Sequence, residues 1–403
     1  MKAAGSNEFE NTESLKSADF KLSDFGDSMT IGFDGKRAAQ NFTGLGNYSR
    51  YIIEIMAKYF PGNKYMVYSP REPDQRRAGY LKDLPSVSFR HPRNSSFGSL
   101  WRTFGITRDF KDDDIDIYHG LSNEIPFGIK RSGISTVVTI HDLIFLRYPH
   151  YYPWLDRQLY ELKFKYACRH ADQIIAISEQ TKKDIITFFK IPETRIEVIY
   201  QNCHEIFRQD VSKEYLQKLK EKYYLPDRYL LSVGTIELRK NLMLIVKALK
   251  HVQSDVHLVV IGKETAYAKI VKRYIEENDL SNRVHFYKNV PLQDLPAIYR
   301  QAEIFVYPSR FEGFGIPIIE ALHCRIPVIA TSGSCLEEAG GPQSLYVNPD
   351  DDLALSEAIK VILRDSTNRE KMVTEGTEYA KLFADKLIAA KLMDLYQRIK
   401  QNA

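Results

Sequence analysis

The chain has 403 residues, 44% apolar and 27% charged, a globular composition on a length that exceeds one ordinary core, so two domains are expected. A net charge of +4 over this length gives no ground for nucleic-acid binding, and no apolar run approaches the roughly 18–20 residues of a membrane-spanning helix. Residues 1–28 are polar, lack the apolar centre of a signal peptide and read as a disordered lead-in before Met29.

From Thr30 onward, short apolar runs alternate with amphipathic segments, the pattern of βα units around parallel sheets. The first half predicts strands at Thr30–Asp34, Lys64–Tyr68, Ile115–His119, Ser135–Ile140, Gln173–Ile177 and Arg195–Ile199. The second predicts them at Tyr229–Val233, His257–Ile261, Val284–Tyr287, Ile304–Tyr307, Pro327–Ala330 and Ser344–Val347. Helical periodicity lies between them at Tyr48–Tyr59, Trp154–His170, Glu179–Phe189 and Leu242–His251. The break between halves falls within residues 202–224, giving an expected first domain of 29–205 and a second of 206–382. The fold class is α/β, two doubly wound domains facing across a cleft. Ligands of such sheets sit beyond the strand C-termini, so the loops there carry the chemistry.

Gly44 and Gly46 precede the first long helix, where glycines let backbone N–H groups approach a phosphate. A plain tight loop is the alternative, and without the full GxGxxG spacing a nicotinamide cofactor has no support. His119 and His141 each end a strand and so border the cleft, where a histidine can donate to or accept from a substrate hydroxyl. Arg239 and Lys240 follow the first strand of the second half; cations at a helix start oppose its dipole, which favours an anionic ligand such as a diphosphate. The richest segment is Glu312-Gly313-Phe314-Gly315-Ile316-Pro317 with Glu320 downstream. A strand, a glycine turn and a proline-started helix aim free amides at an anion. The two carboxylates suit sugar or ribose hydroxyls rather than phosphate, so the segment reads as a pocket for a sugar joined to a phosphate. Small residues in 331–338 are candidates for its lining or for a simple βα loop.

Residues 58–108 hold ten Lys and Arg against three acids, with Phe97, Trp101 and Phe104 interleaved, a candidate surface for anionic lipid or a solvated face. The Tyr- and Trp-rich residues 148–166 can line an acceptor groove or pack internally. Asp112-Asp113-Asp114 reads as a solvated turn, and no Asp-x-Asp sits at a cleft-facing strand end, so no metal is implied. Cys168, Cys203, Cys324 and Cys335 have no metal or redox spacing and are expected as reduced thiols of a cytoplasmic protein.

Together these motifs resemble the large retaining glycosyltransferase family 4 with the GT-B fold, over nearly the whole chain from about Thr30. Glu312 and Glu320 fall on the family's E-x7-E motif. The resemblance implies that Glu312 contacts donor-sugar hydroxyls, Glu320 the ribose, and the amides of Gly313, Phe314, Gly315 and Ile316 the sugar and diphosphate. It makes Arg239 and Lys240 the diphosphate pair, Gly44 and Gly46 a loop over the phosphates, and His141 a histidine near the donor sugar. Some members carry an arginine where Thr235 stands, so that contact is not implied. The base pocket is expected near Lys288, Asn289 and Val290, and residues 383–403 as a last helix crossing back onto the first domain.

The implied activity is transfer of a sugar from a nucleotide diphosphate, with retention and without a metal or other cofactor. Loop wording resembles mannosyltransferases of surface polysaccharide assembly, so GDP-mannose leads, with UDP- or ADP-sugars as alternatives. The implied acceptor is a glycan or lipid-linked glycan; the unpaired cysteine spacing and the basic stretch set the expected location as cytoplasmic, peripheral at the inner face of the membrane. Rival readings are an epimerase, a phosphorylase, which lacks a pyridoxal motif here, and a non-catalytic sugar-nucleotide-binding assembly partner.

Overall fold

The computed structural model describes residues 28–76, 78–92 and 98–401, so residues 1–27 of the expected lead-in, Arg77, Arg93 and Phe97 lie outside the described residues. The first half forms a seven-stranded parallel sheet of β1 (Thr30–Asp34), β2 (Lys64–Tyr68), β3 (Val87–Arg90), β4 (Ile117–Gly120), β5 (Ser135–Ile140), β6 (Gln173–Ala176) and β7 (Ile196–Val198). Its spatial order is β3-β2-β1-β4-β5-β6-β7. The second half forms a six-stranded parallel sheet of β8 (Tyr229–Val233), β9 (His257–Ile261), β10 (Val284–Tyr287), β11 (Ile304–Tyr307), β12 (Val328–Thr331) and β13 (Leu345–Val347), in the order β10-β9-β8-β11-β12-β13.

Both sheets start in the middle, run outward and then reverse. The reversal lies between β1 and β4 in one sheet and between β8 and β11 in the other, and a crevice opens at such a point beyond the strand ends. The strands beside it are covered on both faces: all residues of β4, β5 and β11 are buried, which is why they read as apolar runs. Strand β3 was not expected. Its four residues lie at the sheet edge with one buried, so they carry little apolar signal.

The first long helix spans Gly44–Tyr59, four residues earlier than its periodicity begins, and this moves both glycines into its first turn. Gly46 sits there for packing. A Cβ on it would lie 1.9 Å from the Asn41 carbonyl oxygen, itself held by Arg50 Nη1 at 2.9 Å. A Cβ on Gly44 would meet nothing within 4 Å. Gly46→Ala is therefore expected to lose ~2–3 kcal/mol of stability by overpacking, while Gly44→Ala leaves the melting temperature nearly unchanged. Paired thermal melts check this; equal melting of both variants would remove the packing role.

The final helix, Asp385–Gln401, buries Ile388, Leu392, Leu395, Tyr396 and Ile399 at helical spacing. It is tied to first-domain residues at several points: Tyr51 donates to Asp385 Oδ1 (3.1 Å), Arg398 pairs with Glu197 (2.6 Å) and Lys400 with Asp116 (2.9 Å). One hydrophobic core continues from the first sheet through Ile177, Ile199, Cys203 and Phe207 into the second, joining the two halves beneath the crevice. The four cysteines are buried and unpaired.

Candidate active site in the crevice between the sheets

A cavity of about 520 Å³ lies between the two strand-end surfaces. The first domain contributes Gly44, Tyr48, His141 and Asp142 to its wall, and the second contributes Lys240, Tyr307, residues 312–317 and Glu320. Sequence-predicted residues from both halves thus share one space.

Its electrostatic centre is Glu312. The carboxylate lies 2.6 Å from Lys240 Nζ and 2.8 Å from Arg239 Nη1. Burial alone pushes its carboxyl up, but Lys240 and Arg239 outweigh that and hold it at about 2. The converse holds for Lys240: burial disfavours its charge, and Glu312 outweighs burial to keep it protonated. Lys240 also donates to the Tyr307 hydroxyl at 2.6 Å and lies 4.9 Å from that ring's centre. Arg239 stands one step back from the cavity. It donates to the Phe311 carbonyl and to Glu237, both at 2.7 Å, so it reaches the cavity through Glu312 rather than directly.

The loop carrying Glu312 is pressed against the first domain. A Cβ on Gly313 would lie 2.3 Å from the His141 carbonyl oxygen, so only glycine fits. The helix Ile316–His323 then starts at the cavity without a capping side chain, with Pro317 in its first turn. Eight residues beyond Glu312, Glu320 accepts the Tyr299 hydroxyl at 2.7 Å, and burial pushes its carboxyl up to about 7.

His141 lines the cavity with its ring edge-on to Tyr48, the centres 4.6 Å apart. Burial pushes it down to about 4, so it is neutral near pH 7. Its Nε2 lies 2.9 Å from the Leu121 carbonyl, which can only accept, so the proton sits on Nε2. The ring therefore offers Nδ1 as an acceptor, narrower than the donate-or-accept role expected from sequence.

Several expectations are corrected. His119 does not border the cleft: it is fully buried, with Nδ1 2.6 Å from the Tyr396 hydroxyl and Nε2 2.8 Å from Thr139 Oγ1. It anchors the final helix. Gly46 is a packing glycine and does not line the cavity, and Val290 packs on the core while Leu292, two residues on, takes its place in the wall. Residues 331–338 also stay out of the wall. They brace the loop from behind, where Cys335 Sγ donates to the carbonyls of Glu312 (3.0 Å) and Phe314 (2.8 Å). Asp113 is no solvated turn residue, since it accepts the Tyr68 hydroxyl at 2.9 Å. Nor is the basic stretch a uniform face: Arg102 is half-buried against Asp34 (2.9 Å) and Glu124 (2.8 Å), and Lys82 and Arg90 pair with Glu72 and Asp113.

Sequence reading missed Tyr307, Tyr299 and Asp142 as functional positions. Tyr307 carried a signal, being the last residue of a strand beside the reversal point. Asp142 follows His141 directly, and burial raises its carboxyl. Among the described residues no group of three or more His, Cys, Asp or Glu side chains is placed to hold a metal ion.

Comparison with known proteins agrees with this geometry. Residues 42–201 match the family described as Glycosyltransferase Family 4, and residues 216–379 match Glycosyl transferases group 1. The O-antigen chain mannosyltransferase B of Escherichia coli is 27% identical over 92% of this chain and 100% of its own length. The O-antigen chain mannosyltransferase RfbU of Salmonella typhimurium is 30% identical over 58% of this chain and 63% of its own. In fold, a glycosyltransferase from Rickettsia africae superposes with a TM-score of 0.73 at 20% identity, covering 94% of this chain and 100% of that one. Anabaena Alr3699/HepE, in complex with UDP and glucose, gives 0.71 at 17% identity, covering 92% and 100%. With one matched family region in each domain and the two facing parallel sheets of the GT-B fold, the chain belongs to the family 4 glycosyltransferases and is an enzyme of that class.

Proposed function

We propose that this glycosyltransferase moves mannose from GDP-mannose, with retention, to a hydroxyl of a glycan or lipid-linked acceptor in surface polysaccharide assembly. The observation that carries the reading is the cavity wall in which Lys240 and an uncapped helix start stand beside Glu312 and Glu320. Cations and amides suit a diphosphate, and the carboxylates suit hydroxyls. Mannose is supported by the relatives named mannosyltransferases, one of them matched along its full length.

Retention by double displacement needs a carboxylate nucleophile beneath the anomeric carbon. On this reading Glu312 serves peripheral sugar hydroxyls once the diphosphate takes over its cations, and Asp142 is a carboxyl that burial raises while it accepts the Ile144 N–H at 3.1 Å. A front-face route fits better. The bond from C1 to the phosphate oxygen breaks, the acceptor oxygen bonds C1 on the same face, and its proton passes to the departing phosphate. Lys240 and the helix start stabilise the charge on that leaving group, and the reading invokes no metal or other cofactor. His141 Nδ1 accepts from a sugar hydroxyl, and Glu320 accepts from the ribose.

The reading places the enzyme in the cytoplasm, resting on anionic membrane. Support for the surface comes from the exposed side chains of Leu100, Phe104, Trp154, Leu155 and Leu162 on the first domain. Among the described residues no helix is long and apolar enough to cross a membrane.

The test is product analysis with GDP-mannose, UDP-glucose and ADP-glucose supplied separately with mannose-terminated oligosaccharide acceptors. The expected result is an α-linked mannosyl product from GDP-mannose. A β-linked product would contradict retention, transfer from another donor would reassign the sugar, and tight binding without turnover would favour the non-catalytic partner.

A further inference from the structure

Glu338 has no part in the reaction as described, yet it makes two direct hydrogen bonds to the first domain. It belongs to the short second-domain helix Leu336–Gly340. Its Oε2 accepts the backbone N–H of Glu179 at 2.6 Å and its Oε1 that of Gln180 at 3.0 Å, both in the first domain. These are the first two amides of the helix Glu179–Asp184, whose own capping residue, Ser178, serves Thr181 instead at 3.0 Å. The first turn of a helix leaves such amides without intrahelical partners, and a carboxylate there gains from the helix dipole as well. Glu338 is half-buried: burial pushes its carboxyl up to about 7, against the opposing pull of the two amides. From behind, the Tyr379 hydroxyl holds the Glu338 carbonyl at 2.8 Å.

Three residues before Glu338, Cys335 holds the sugar-site loop by the carbonyls of Glu312 and Phe314. One rigid turn of chain therefore grips the first domain at one end and the catalytic loop at the other. We propose that residues 335–338 act as a bracket that couples domain closure to the seating of Glu312, with Glu338 as a positioning residue. When the domains part, Glu338 loses its two amides and the turn that steadies Glu312 is freed with it. When they close, the grip sets the loop and shuts water out of the cavity, so an unseated loop raises donor hydrolysis relative to transfer. This rests on the donor-site reading above.

The experiment is backbone amide exchange of the full chain, with and without GDP, alongside steady-state kinetics. Glu338→Gln keeps an acceptor oxygen and the side-chain shape; Cys335→Ala is the second variant, in case the first alters folding. Glu338→Gln is expected to speed exchange at residues 179–180 about tenfold, the effect of one lost charge-assisted hydrogen bond. It is also expected to speed exchange at residues 312–316, lower kcat and raise the ratio of donor hydrolysis to transfer, with donor KM nearly unchanged. Cys335→Ala, which removes the donor, should loosen residues 312–316 and lower kcat while 179–180 stay protected. Faster exchange confined to 179–180, with kcat intact, would overturn the proposal by making the contact a domain contact only. If both segments loosen together but the wild type binds no GDP, UDP or ADP, the bracket stands and the donor reading falls.

Discussion

Replacing Glu312 by Gln is expected to lower transfer at least about 100-fold while tightening binding of the bare nucleoside diphosphate about five- to tenfold. The two effects have opposite signs because Glu312 has two partners in succession. In the structure it is the counter-ion of Lys240 and Arg239, at 2.6 and 2.8 Å, and is fully ionised near pH 7. An arriving diphosphate must take over those cations and faces the carboxylate's charge as it does so. Gln removes both obstacles. On the proposed donor reading, the released carboxylate then accepts from donor-sugar hydroxyls in the transfer complex, a role an amide serves poorly. Calorimetric titration with GDP and a transfer assay on the same preparations check the pair of effects. Weaker GDP binding in the variant would show that Glu312 assists the diphosphate and is not displaced by it.

Nucleoside diphosphate affinity is expected to rise about tenfold between pH 5.5 and 7.5, and the part of that rise due to Glu320 should vanish in Glu320→Gln. Burial pushes this carboxyl up to about 7, above its ordinary value of 4.5. For folding, the sign is that of any raised acid: its contribution is complete below about 4.5 and is lost as the pH rises through about 7. For binding the sign reverses. On the proposed reading, ribose hydroxyls donate to the ionised form, so binding below pH 7 releases a proton, and affinity climbs until the group is already ionised. The terminal phosphate of the ligand titrates in the same range, so the informative quantity is the difference between wild type and variant. Equal slopes in both proteins would place the titrating group elsewhere.

The strands beside the crevice were legible because both faces are covered. Ser135–Ile140 and Ile304–Tyr307 are apolar runs whose bounds match β5 and β11 residue for residue. Where only one face is covered, as at Val87–Arg90, the alternation is too short to read. Loop chemistry was legible in kind but not in partner. Arg239, Lys240 and Glu312 could be picked out singly, since each residue type announces its own ligand. Nothing in one-dimensional order says that a glutamate 72 residues after Lys240 is its counter-ion. His119 failed for a related reason. Strand-end position was visible, but the Tyr396 hydroxyl that buries it comes from a helix 277 residues away. Gly46 misled because a glycine needed for close backbone approach to Asn41 looks the same as one needed for a phosphate.

The central claim is that the crevice is a donor site whose cations are held by Glu312 until a diphosphate takes them. A crystal structure of the protein with GDP-mannose tests it most directly. The account predicts diphosphate oxygens within hydrogen-bond distance of Lys240 Nζ, Glu312 turned from the cations to the sugar hydroxyls, and the ribose on Glu320. A nucleotide bound elsewhere, with both Glu312 ion pairs unbroken, would contradict it.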